Sequence, residues 1–376
     1  MSPPRPPHVL LTTDAVGGVW TYATSLSSAL CTRGYRVTLV SLGPAPRDGQ
    51  LRGLQDLPQF DFIPTELALE WMDPMGEDIR RARGVLLALE DSVRPDIIHL
   101  NSFREASYGW RTPVVVAAHS CVGSWWRACR GEEVTERKWL RYATAVRAGL
   151  QSADAWIAPT SFFRDEVQAR YAPPCAGHVI WNGIGPVLAG NEKKPFILAA
   201  GRLWDEAKNL AALGGIADKI AWPIMLAGPL SGPDGEISCP PGLTWLGELS
   251  GAHLHARMLE AQIFVSPAHY EPFGLTVLEA AAAGCALVLS DIGSLRELWD
   301  GAALFLDARD ATSLAHALDD LCHDDKERTR LQRAARSRSQ RYSLARTADA
   351  TVALYATVLN ARRRKPRRQS TLELCA

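Results

Sequence analysis

The segment from Ser266 to Leu298 constrains the fold of this chain more than any other. The apolar run around its start, QIFVSP, is short and contains β-branched residues, which predicts a buried strand. A Pro-Phe-Gly turn follows, then a helical run with four consecutive alanines, Ala280 to Ala283, and then the apolar run CALVLS, which predicts a second buried strand. The segment is therefore predicted to be a strand–loop–helix–strand unit of an α/β sheet.

Polar residues lie where the first of these strands ends and the helix begins. In open α/β sheets this edge is where ligands bind. The backbone N–H groups of Phe273, Gly274 and Leu275 would be the free donors of a helix N-terminus, which suits a phosphate group. Glu271 lies in the loop, and Glu279 is expected roughly two turns down the helix. These carboxylates could bind sugar and nucleotide hydroxyls, or they could be an ordinary loop carboxylate and a solvated helix position.

The two glutamates belong to a longer pattern. It consists of Glu271, seven residues and Glu279, with Phe-Gly inside it and Gly284 before the next strand. The pattern resembles the EX7E signature of the retaining glycosyltransferases of family 4, which have the GT-B fold. The resemblance implies an α/β architecture of two Rossmann-like domains, whose parallel sheets face a central cleft, with a C-terminal helix that crosses back to the first domain.

The length of the chain agrees with two domains, because 376 residues exceed what one hydrophobic core usually holds. Residues 185–194 show no apolar periodicity, which indicates a linker. We expect an N-terminal Rossmann-like acceptor domain over 1–184, to which a crossover helix at 342–360 returns. A donor-binding Rossmann-like domain is expected over 193–341, followed by a basic tail over 361–376 that we expect to be disordered.

A glycine turn follows the first predicted strand, HVLLTT. The strand, the turn, a helix and the next strand form a βαβ unit of about 30 residues, but G-x-G-x-x-G is missing, so no dinucleotide fingerprint is present. Gly17 and Gly18 lie where backbone amides can face an anion, or they only permit tight packing. Family 4 enzymes carry a similar Gly-Gly near the donor diphosphate and the acceptor, so the resemblance implies that this pair contacts the donor.

Two cations follow the predicted strand FILAAG in the second half. Arg202 lies just past its end, and Lys208 lies where a helix is predicted to begin. Arg202 could clamp a diphosphate bidentately and Lys208 could act as a point charge, or both could be solvated loop cations that pair with Asp205 and Glu206. In family 4 a GR…KN pair binds the donor diphosphate, and Arg202 and Lys208 match it.

His119 ends the apolar run PVVVAAHS. It could be a structural histidine bonded to a neighbouring carbonyl or a functional group at a strand end; in the resembling family a histidine here approaches the donor sugar. The loop-like stretch that follows contains Trp125, Trp126 and Arg127. It could form part of an acceptor surface, since indoles stack on sugar faces, or it could begin a helix with buried tryptophans.

The resemblance implies a reaction: transfer of a hexose from a nucleoside diphosphate sugar to a hydroxyl of a glycan, lipid-linked or small-molecule acceptor, with retained anomeric configuration. Leu246 joins the predicted site because family members often have a base-binding segment near GELS. The predicted catalytic residues are Glu271, His119, Arg202 and Lys208. The predicted donor-binding residues are Gly17, Gly18, Arg202, Lys208, Leu246, Glu271, Phe273, Gly274, Leu275 and Glu279. The alternatives are a nucleotide-sugar 2-epimerase-like enzyme and a non-catalytic nucleotide-binding protein on the same fold.

Composition argues against several other functions. Lys+Arg and Asp+Glu balance at 41 each, so no net charge favours nucleic acid. The eight cysteines form no C-x-x-C pair or zinc-like spacing, and D-x-D does not occur, so we expect neither a metal nor a cofactor beyond the nucleotide-sugar substrate. Scattered cysteines, most of them in apolar surroundings, and the lack of a signal peptide or transmembrane run predict a cytoplasmic protein.

The tail contains six cations within seven residues, Arg362 to Arg368. Such runs are usually solvated. The alternative is contact with the anionic inner face of a membrane, where each cation contributes about 1 kcal/mol. That contact would suit a lipid-linked acceptor.

Overall fold

Two parallel β-sheets, one in each half of the chain, organise the part of the protein that the structure describes. The structure is a computed structural model, and it describes residues 5–15, 17–46, 49–51, 53–187, 192–232 and 235–364. Each sheet is covered by helices on both faces, so strands such as Val114–Ala117 are continuous apolar runs with every residue buried.

The first sheet is made of seven strands among the described residues, all parallel, in the order β3-β2-β1-β4-β5-β6-β7. Its strands are His8–Asp14 (β1), Arg36–Leu42 (β2), Phe60–Pro64 (β3), Ile97–Leu100 (β4), Val114–Ala117 (β5), Ala155–Ala158 (β6) and His178–Val179 (β7). The order reverses between β1 and β4. This reversal is the topological switch point at which doubly wound sheets form their ligand crevice.

The second sheet pairs six described strands in parallel, in the order β12-β9-β8-β13-β14-β15, and a short antiparallel hairpin is formed by β10 and β11. The strands are Lys194–Ala200 (β8), Ile224–Ala227 (β9), Ser231–Gly232 (β10), Gly235–Glu236 (β11), Thr244–Trp245 (β12), Ala261–Ser266 (β13), Ala286–Ser290 (β14) and Leu304–Leu306 (β15). Its switch point lies between β8 and β13, at the start of the Ser266–Leu298 segment.

Eleven α-helices connect and cover these strands within the described ranges. They are Gly18–Thr32 (α1), Ile79–Val93 (α2), Val122–Arg130 (α3), Arg137–Ser152 (α4), Ser161–Tyr171 (α5), Gly251–Glu260 (α6), Leu275–Ala282 (α7), Gly293–Trp299 (α8), Ala311–His323 (α9), Asp325–Ser339 (α10) and Leu344–Arg364 (α11). Three 3₁₀ segments occupy Arg104–Tyr108, Glu206–Lys208 and Leu210–Lys219. None of the described helices is both long enough and apolar enough to span a bilayer.

The helix predicted to begin at Lys208 is not an α-helix. Two 3₁₀ segments take its place, and Asn209 between them has a left-handed backbone with φ of 51°. This conformation breaks the helical hydrogen-bond ladder, and the Asn209 side chain compensates by donating to the carbonyl oxygens of Pro267 and Ala308. Lys208 therefore stays in a short turn at the sheet edge.

The C-terminal helix α11 crosses back onto the first domain, as predicted for the GT-B fold. The Tyr355 hydroxyl lies 2.6 Å from His99 Nδ1 in the core beneath α1, and Arg33 pairs with Asp349 at 2.6 Å. The chain enters and leaves the second domain side by side, because Ile184 pairs with Ser343 in a parallel bridge. The predicted division between residues 184 and 193 falls between β7 and β8 and stays a prediction.

Lys193 joins the C-terminal ends of two helices in the second domain. Its Nζ donates to the carbonyl oxygens of Met258, Ala261 and Ala283 at 3.0, 2.8 and 2.9 Å. These carbonyls lie at or just past the ends of α6 and α7, where they have no partner within the helix. Burial lowers the pKa of this half-buried lysine, whereas carbonyl oxygens that accept from an ammonium group favour its charged form.

Replacing Lys193 by methionine is expected to lower the free energy of unfolding by about 2–3 kcal/mol, because three carbonyls lose one charged donor. Urea unfolding measures this change. The matched control is Lys194→Met, since Lys194 is exposed and pairs with Glu260 at the surface; a surface pair of this kind contributes about 1 kcal/mol or less. Equal losses in the two variants would contradict the role of Lys193.

Candidate active site

The Glu271 loop connects β13 to α7 at the carboxyl edge of the second sheet. Gly274 is the N-cap residue of α7 and has φ of 83°, a left-handed conformation that favours glycine. A Cβ here would lie 3.3 Å from Glu271 Cγ. Glycine therefore allows the loop to fold tightly against the first turn of α7, which begins at Leu275. The N–H groups of Phe273, Gly274 and Leu275 are grouped at this helix N-terminus, as predicted.

Glu271 is held in place from two sides. Its Oε2 lies 2.5 Å from Lys208 Nζ, and its backbone oxygen accepts a 2.5 Å hydrogen bond from Ser294 Oγ. The side chains of Lys208 and Glu271 are 22% and 12% exposed, so the ion pair is partly shielded from water while still open to a ligand. The predicted cation and the predicted carboxylate therefore form one charged site at the edge of β8 and β13.

Arg202 follows β8 and pairs with a different carboxylate. Its Nη2 lies 2.5 Å from Oδ2 of Asp205, whose side chain is only 7% exposed. Burial by itself would raise the pKa of Asp205, but the charge of Arg202 and its hydrogen bond hold that pKa below its usual value. The pairing with Asp205 that the sequence left open is thus present. The Asp205 carboxylate is buried and holds the guanidinium of Arg202 in place, so the pair is not a solvated surface contact.

The glycine loop of the first domain lies directly opposite Arg202. A Cβ placed on Gly17 would be 2.7 Å from Arg202 Nη1, and one placed on Gly18 would be 3.8 Å from Cδ1 of Leu275. Gly17 also has φ of 88°, so a side chain there would be strained as well as crowded. Four predicted donor-site residues thus meet across the cleft.

His119 follows β5 on the first-domain side. Its Nε2 lies 2.8 Å from Asn101 Oδ1, and Asn101 in turn donates its Nδ2 proton to the Thr12 carbonyl at 2.6 Å. Because the amide oxygen of Asn101 can only accept, Nε2 carries the imidazole proton and Nδ1 is the acceptor. Burial lowers the pKa of His119 to about 4, so the ring is neutral at pH 7.

Two hydrogen bonds connect the His119 strand end and α5 to the Glu271 loop. The Tyr270 hydroxyl accepts the Cys121 N–H at 3.1 Å, and Thr160 Oγ1 donates to the Pro272 carbonyl at 3.0 Å. Cys121 is two residues after His119, and Tyr270 and Pro272 flank Glu271. The two contacts therefore hold the first-domain segment next to His119 against the segment that carries Glu271.

Glu279 lies closer to the start of its helix than the sequence predicted. Because α7 begins only at Leu275, Glu279 is its fifth residue, little more than one turn from the start rather than two. Glu279 is half-buried, and burial raises its pKa to about 7. It is therefore a partly desolvated carboxyl group and not a solvated helix position.

The prediction for Leu246 needs a correction. Its N–H donates to the Leu226 carbonyl at 2.8 Å, and the Gly247 carbonyl accepts from the Gly228 N–H at 3.0 Å. These two groups complete the sheet edge beyond β12 and are not free for a nucleobase. The prediction of base contact now applies only to the two other backbone groups of this dipeptide, the carbonyl of Leu246 and the N–H of Gly247.

The stretch with the two tryptophans forms helix α3, so the helix alternative is confirmed and the loop-like interpretation is wrong. Cys121 is its N-cap and accepts the Ser124 N–H through its sulfur. Trp125 and Trp126 are half-buried, and the Arg130 guanidinium lies 4.5 Å from the ring centre of Trp126. A cation thus already stacks on the indole that was considered for a sugar.

The basic tail is described only at its start. Arg362 to Arg364 end α11, and Arg362 pairs with Asp154 at 2.8 Å. Residues 365–368 lie outside the described residues. The membrane contact stays a prediction. One of the six cations of the tail, Arg362, is already paired with a carboxylate of the protein.

Several residues at this site were not singled out as functional by the sequence analysis. They are Asp205, Tyr270, Asn101, Thr160 and Ser294. Asp205 could have been found, because it lies three residues after Arg202 and was considered as its partner. The others hold the site through hydrogen bonds between segments far apart in sequence, for which no local pattern exists.

Comparison with known protein families identifies both halves of the chain. The model described as Glycosyltransferase Family 4 matches residues 16–186, and the model described as Glycosyl transferases group 1 matches residues 186–338. The chain belongs to glycosyltransferase family 4. It is an enzyme of the glycosyltransferase class, and the two matched regions meet where β7 is followed by β8.

Individual relatives agree with this assignment. The glycogen synthase of Mycobacterium tuberculosis is 28% identical over 86% of this chain and 86% of its own length. The sucrose-phosphate synthase of Thermosynechococcus elongatus superposes with a TM-score of 0.76 at 20% identity, covering 94% of this chain and all of that one. Anabaena HepE in complex with UDP superposes with a TM-score of 0.70 at 15% identity, covering 93% and 100%. At these identities the two structures show the shared GT-B fold.

Proposed function

We propose that this family 4 glycosyltransferase transfers a hexose from a nucleoside diphosphate sugar to a hydroxyl acceptor with retention of configuration. The observation that carries the proposal is the charged set at the carboxyl ends of β8 and β13, where Lys208 and Glu271 pair at 2.5 Å. Arg202 adds a second cation, opposite Gly17 on the other side of the cleft. A diphosphate between the cations and a sugar beside Glu271 would use every charged group of this set.

The chemistry depends on charge that develops on the leaving phosphate. Arg202, Lys208 and the N–H groups at the start of α7 would stabilise that charge as the glycosidic bond breaks. Glu271 would hold sugar hydroxyls, and neutral His119 would accept a hydrogen bond from a sugar hydroxyl at Nδ1 without adding a charge. The acceptor hydroxyl would attack from the face that the phosphate leaves, and the departing phosphate oxygen would take its proton. Retention follows from this same-face attack.

We propose that protein cations serve the diphosphate without a metal ion. Among the described residues, no group of three or more His, Cys, Asp or Glu side chains is arranged to hold a metal ion. Two cations and a helix N-terminus instead face the predicted phosphate position. Activity in EDTA equal to activity in magnesium would support this proposal, and a requirement for magnesium would overturn it.

A thermal-shift panel is the first experiment. UDP, GDP, ADP and their common hexose conjugates are each added with magnesium and with EDTA. A rise in Tm with one base identifies the nucleotide, and UDP is the first candidate because an Anabaena protein of this fold binds it. No shift with any nucleotide would overturn the proposed donor site.

Turnover with the identified donor then separates the proposed reaction from its alternatives. A malto-oligosaccharide is the first acceptor, because a relative is a glycogen synthase, and a hexose phosphate is the second. Donor consumption that requires an acceptor and gives an α-linked product from an α-linked donor, read by NMR, supports a retaining transferase. Donor consumption without any acceptor would indicate the epimerase-like reaction, and binding without turnover would indicate a non-catalytic site.

Donor affinity is expected to increase as the pH rises from about 6 to 8. The pKa of free Glu279 is about 7, and hydroxyls of a bound ribose would donate to its ionised form, so binding is favoured once the proton is lost. The expected gain in donor affinity is about tenfold, which corresponds to a decrease of about one unit in the pKa of Glu279 when the donor binds. Calorimetry measures the affinity at each pH. The nucleotide sugar is used as the ligand because the terminal phosphate of a free nucleoside diphosphate would itself titrate in this pH range. A similar slope in Glu279→Gln would contradict the role of Glu279.

A further inference from the structure

Helix α3 of the first domain contacts the turn of the second domain that carries both predicted cations. Trp125 Nε1 donates to Asp205 Oδ1 at 3.3 Å, and Arg130 Nη2 pairs with Glu206 Oε2 at the same distance. From the other side, Arg309 Nη2 donates to the Ala128 carbonyl at 2.9 Å. We call these three contacts the α3 clasp. They join the first domain to the part of the second domain that carries Arg202 and Lys208.

Asp205 is the point at which the clasp meets the donor site. Its Oδ2 accepts from Arg202 Nη2, while its Oδ1 accepts from Trp125 Nε1 and from the Ala207 N–H at 3.0 Å. Each carboxylate oxygen thus has its own set of donors. Because the carboxylate is planar, fixing Oδ1 through Trp125 also fixes the direction in which Oδ2 holds the guanidinium of Arg202.

The same helix also reaches the segment next to Glu271. The Cys121 N–H at the start of α3 donates to the Tyr270 hydroxyl, and the Ala207 carbonyl accepts the His269 N–H at 2.8 Å. The turn that holds Arg202 and the loop that holds Glu271 are therefore both bonded to α3 and to each other. Rotation of α3 away from the second domain would release the two at once.

We propose that Trp125 is a positioning residue, which orients Arg202 through Asp205 when the two domains are apposed. The proposal rests on the proposed function, in which Arg202 binds the donor diphosphate. It replaces a sugar-stacking role for Trp125, because its indole N–H is used by Asp205 and Arg130 covers the tryptophan pair. Docking of the acceptor domain would thereby complete the diphosphate site in the donor domain.

The test compares Trp125→Phe with Trp126→Phe in the full-length enzyme. Both variants remove an indole N–H from the same helix and keep an aromatic ring, but only the first removes the bond to Asp205. The expected result is a fall in kcat of about five- to twentyfold for Trp125→Phe, with the Tm and the nucleoside affinity unchanged. Trp126→Phe should keep the kcat of the wild type, and Trp125→His, which restores a ring N–H, should recover part of the loss. Equal kcat values in the two phenylalanine variants would overturn the proposal.

A double-mutant cycle with Asp205→Asn keeps the proposal testable if Trp125→Phe lowers the stability of the protein. If Trp125→Phe acts through Asp205, the double variant is no slower than Asp205→Asn alone. A packing defect at Trp125 would instead multiply the two losses, and that result would overturn the proposal. Failure of the proposed function gives a different pattern, because Arg202→Ala would then leave nucleoside diphosphate affinity unchanged, whatever Trp125→Phe does.

Discussion

Glu271→Gln is expected to lower kcat for sugar transfer by about 10²–10³-fold. The substitution keeps the shape of the side chain and removes the charge that pairs with Lys208 at 2.5 Å. Two hydrogen bonds from sugar hydroxyls to a charged group contribute about 3–6 kcal/mol. Glutamine keeps an acceptor oxygen, so we expect a loss of about 3–4 kcal/mol, which corresponds to the stated range of rates. Initial rates at saturating donor, together with the Tm, measure the effect.

The matched control for this prediction is Glu260→Gln. Glu260 immediately precedes β13 and pairs with Lys194 at the surface, while Glu271 follows the same strand at its other end. The control should keep the kcat of the wild type. Glu271→Gln should still bind the nucleoside diphosphate, because the proposed contacts to the base, the ribose and the phosphates do not involve Glu271. A variant that retained more than a third of the wild-type kcat would contradict the role of Glu271.

Much of the fold could be predicted because its determinants are local. Buried parallel strands are short apolar runs, and β4, β5 and β6 have every residue buried, as such runs require. The strand–loop–helix–strand unit at Ser266–Leu298 follows from the same patterns. The GT-B architecture itself came from the resemblance, and the matched families and the superposed structures confirm it.

Where the sequence analysis was wrong, a backbone or capping detail explains the error. Pro272 and the positive φ of Gly274 delay the start of α7, which shortens the distance from the helix start to Glu279. The N-cap of α3 is a cysteine, which is not among the usual capping residues, so the sequence left a loop and a helix start open as alternatives. At α5 the cap is Thr160, a usual capping residue, and its hydroxyl accepts the Phe163 N–H.

The candidate site could be predicted only as separate pieces. The sequence analysis placed Arg202, Lys208 and Glu271 at strand ends, and the carboxyl ends of neighbouring parallel strands lie together. It offered Asp205 as a partner of these cations, which Arg202 confirms, but it gave no sign that Lys208 would pair with Glu271, 63 residues away. The contact between Trp125 and Asp205 spans 80 residues and two domains. The contact between Trp125 and Asp205 depends on how the two domains pack against each other, which local sequence patterns do not encode.

Arg202→Ala and Lys208→Ala are each expected to weaken nucleoside diphosphate binding by about 1.5–3 kcal/mol, which is about a 10- to 100-fold increase in Kd. Arg202 faces the Gly17 loop, so its loss removes a cation that lies against the first domain. Loss of Lys208 removes a cation and also leaves Glu271 without its partner, so the negative charge of Glu271 would repel the phosphates. Calorimetry with the nucleotide identified by thermal shift gives both constants.

The nucleoside without phosphates is the sharpest control for these two variants. Its affinity should be the same in the wild type and in both variants, because the cations face the diphosphate and not the base. Lys219→Ala, which removes an exposed cation of the same domain, should leave the Kd for the diphosphate unchanged. Arg202→Lys should bind with intermediate affinity, since an ammonium group supplies the charge but not the bidentate geometry. Parallel losses for nucleoside and nucleoside diphosphate would mean that Arg202 and Lys208 support the fold of the pocket and do not bind phosphate.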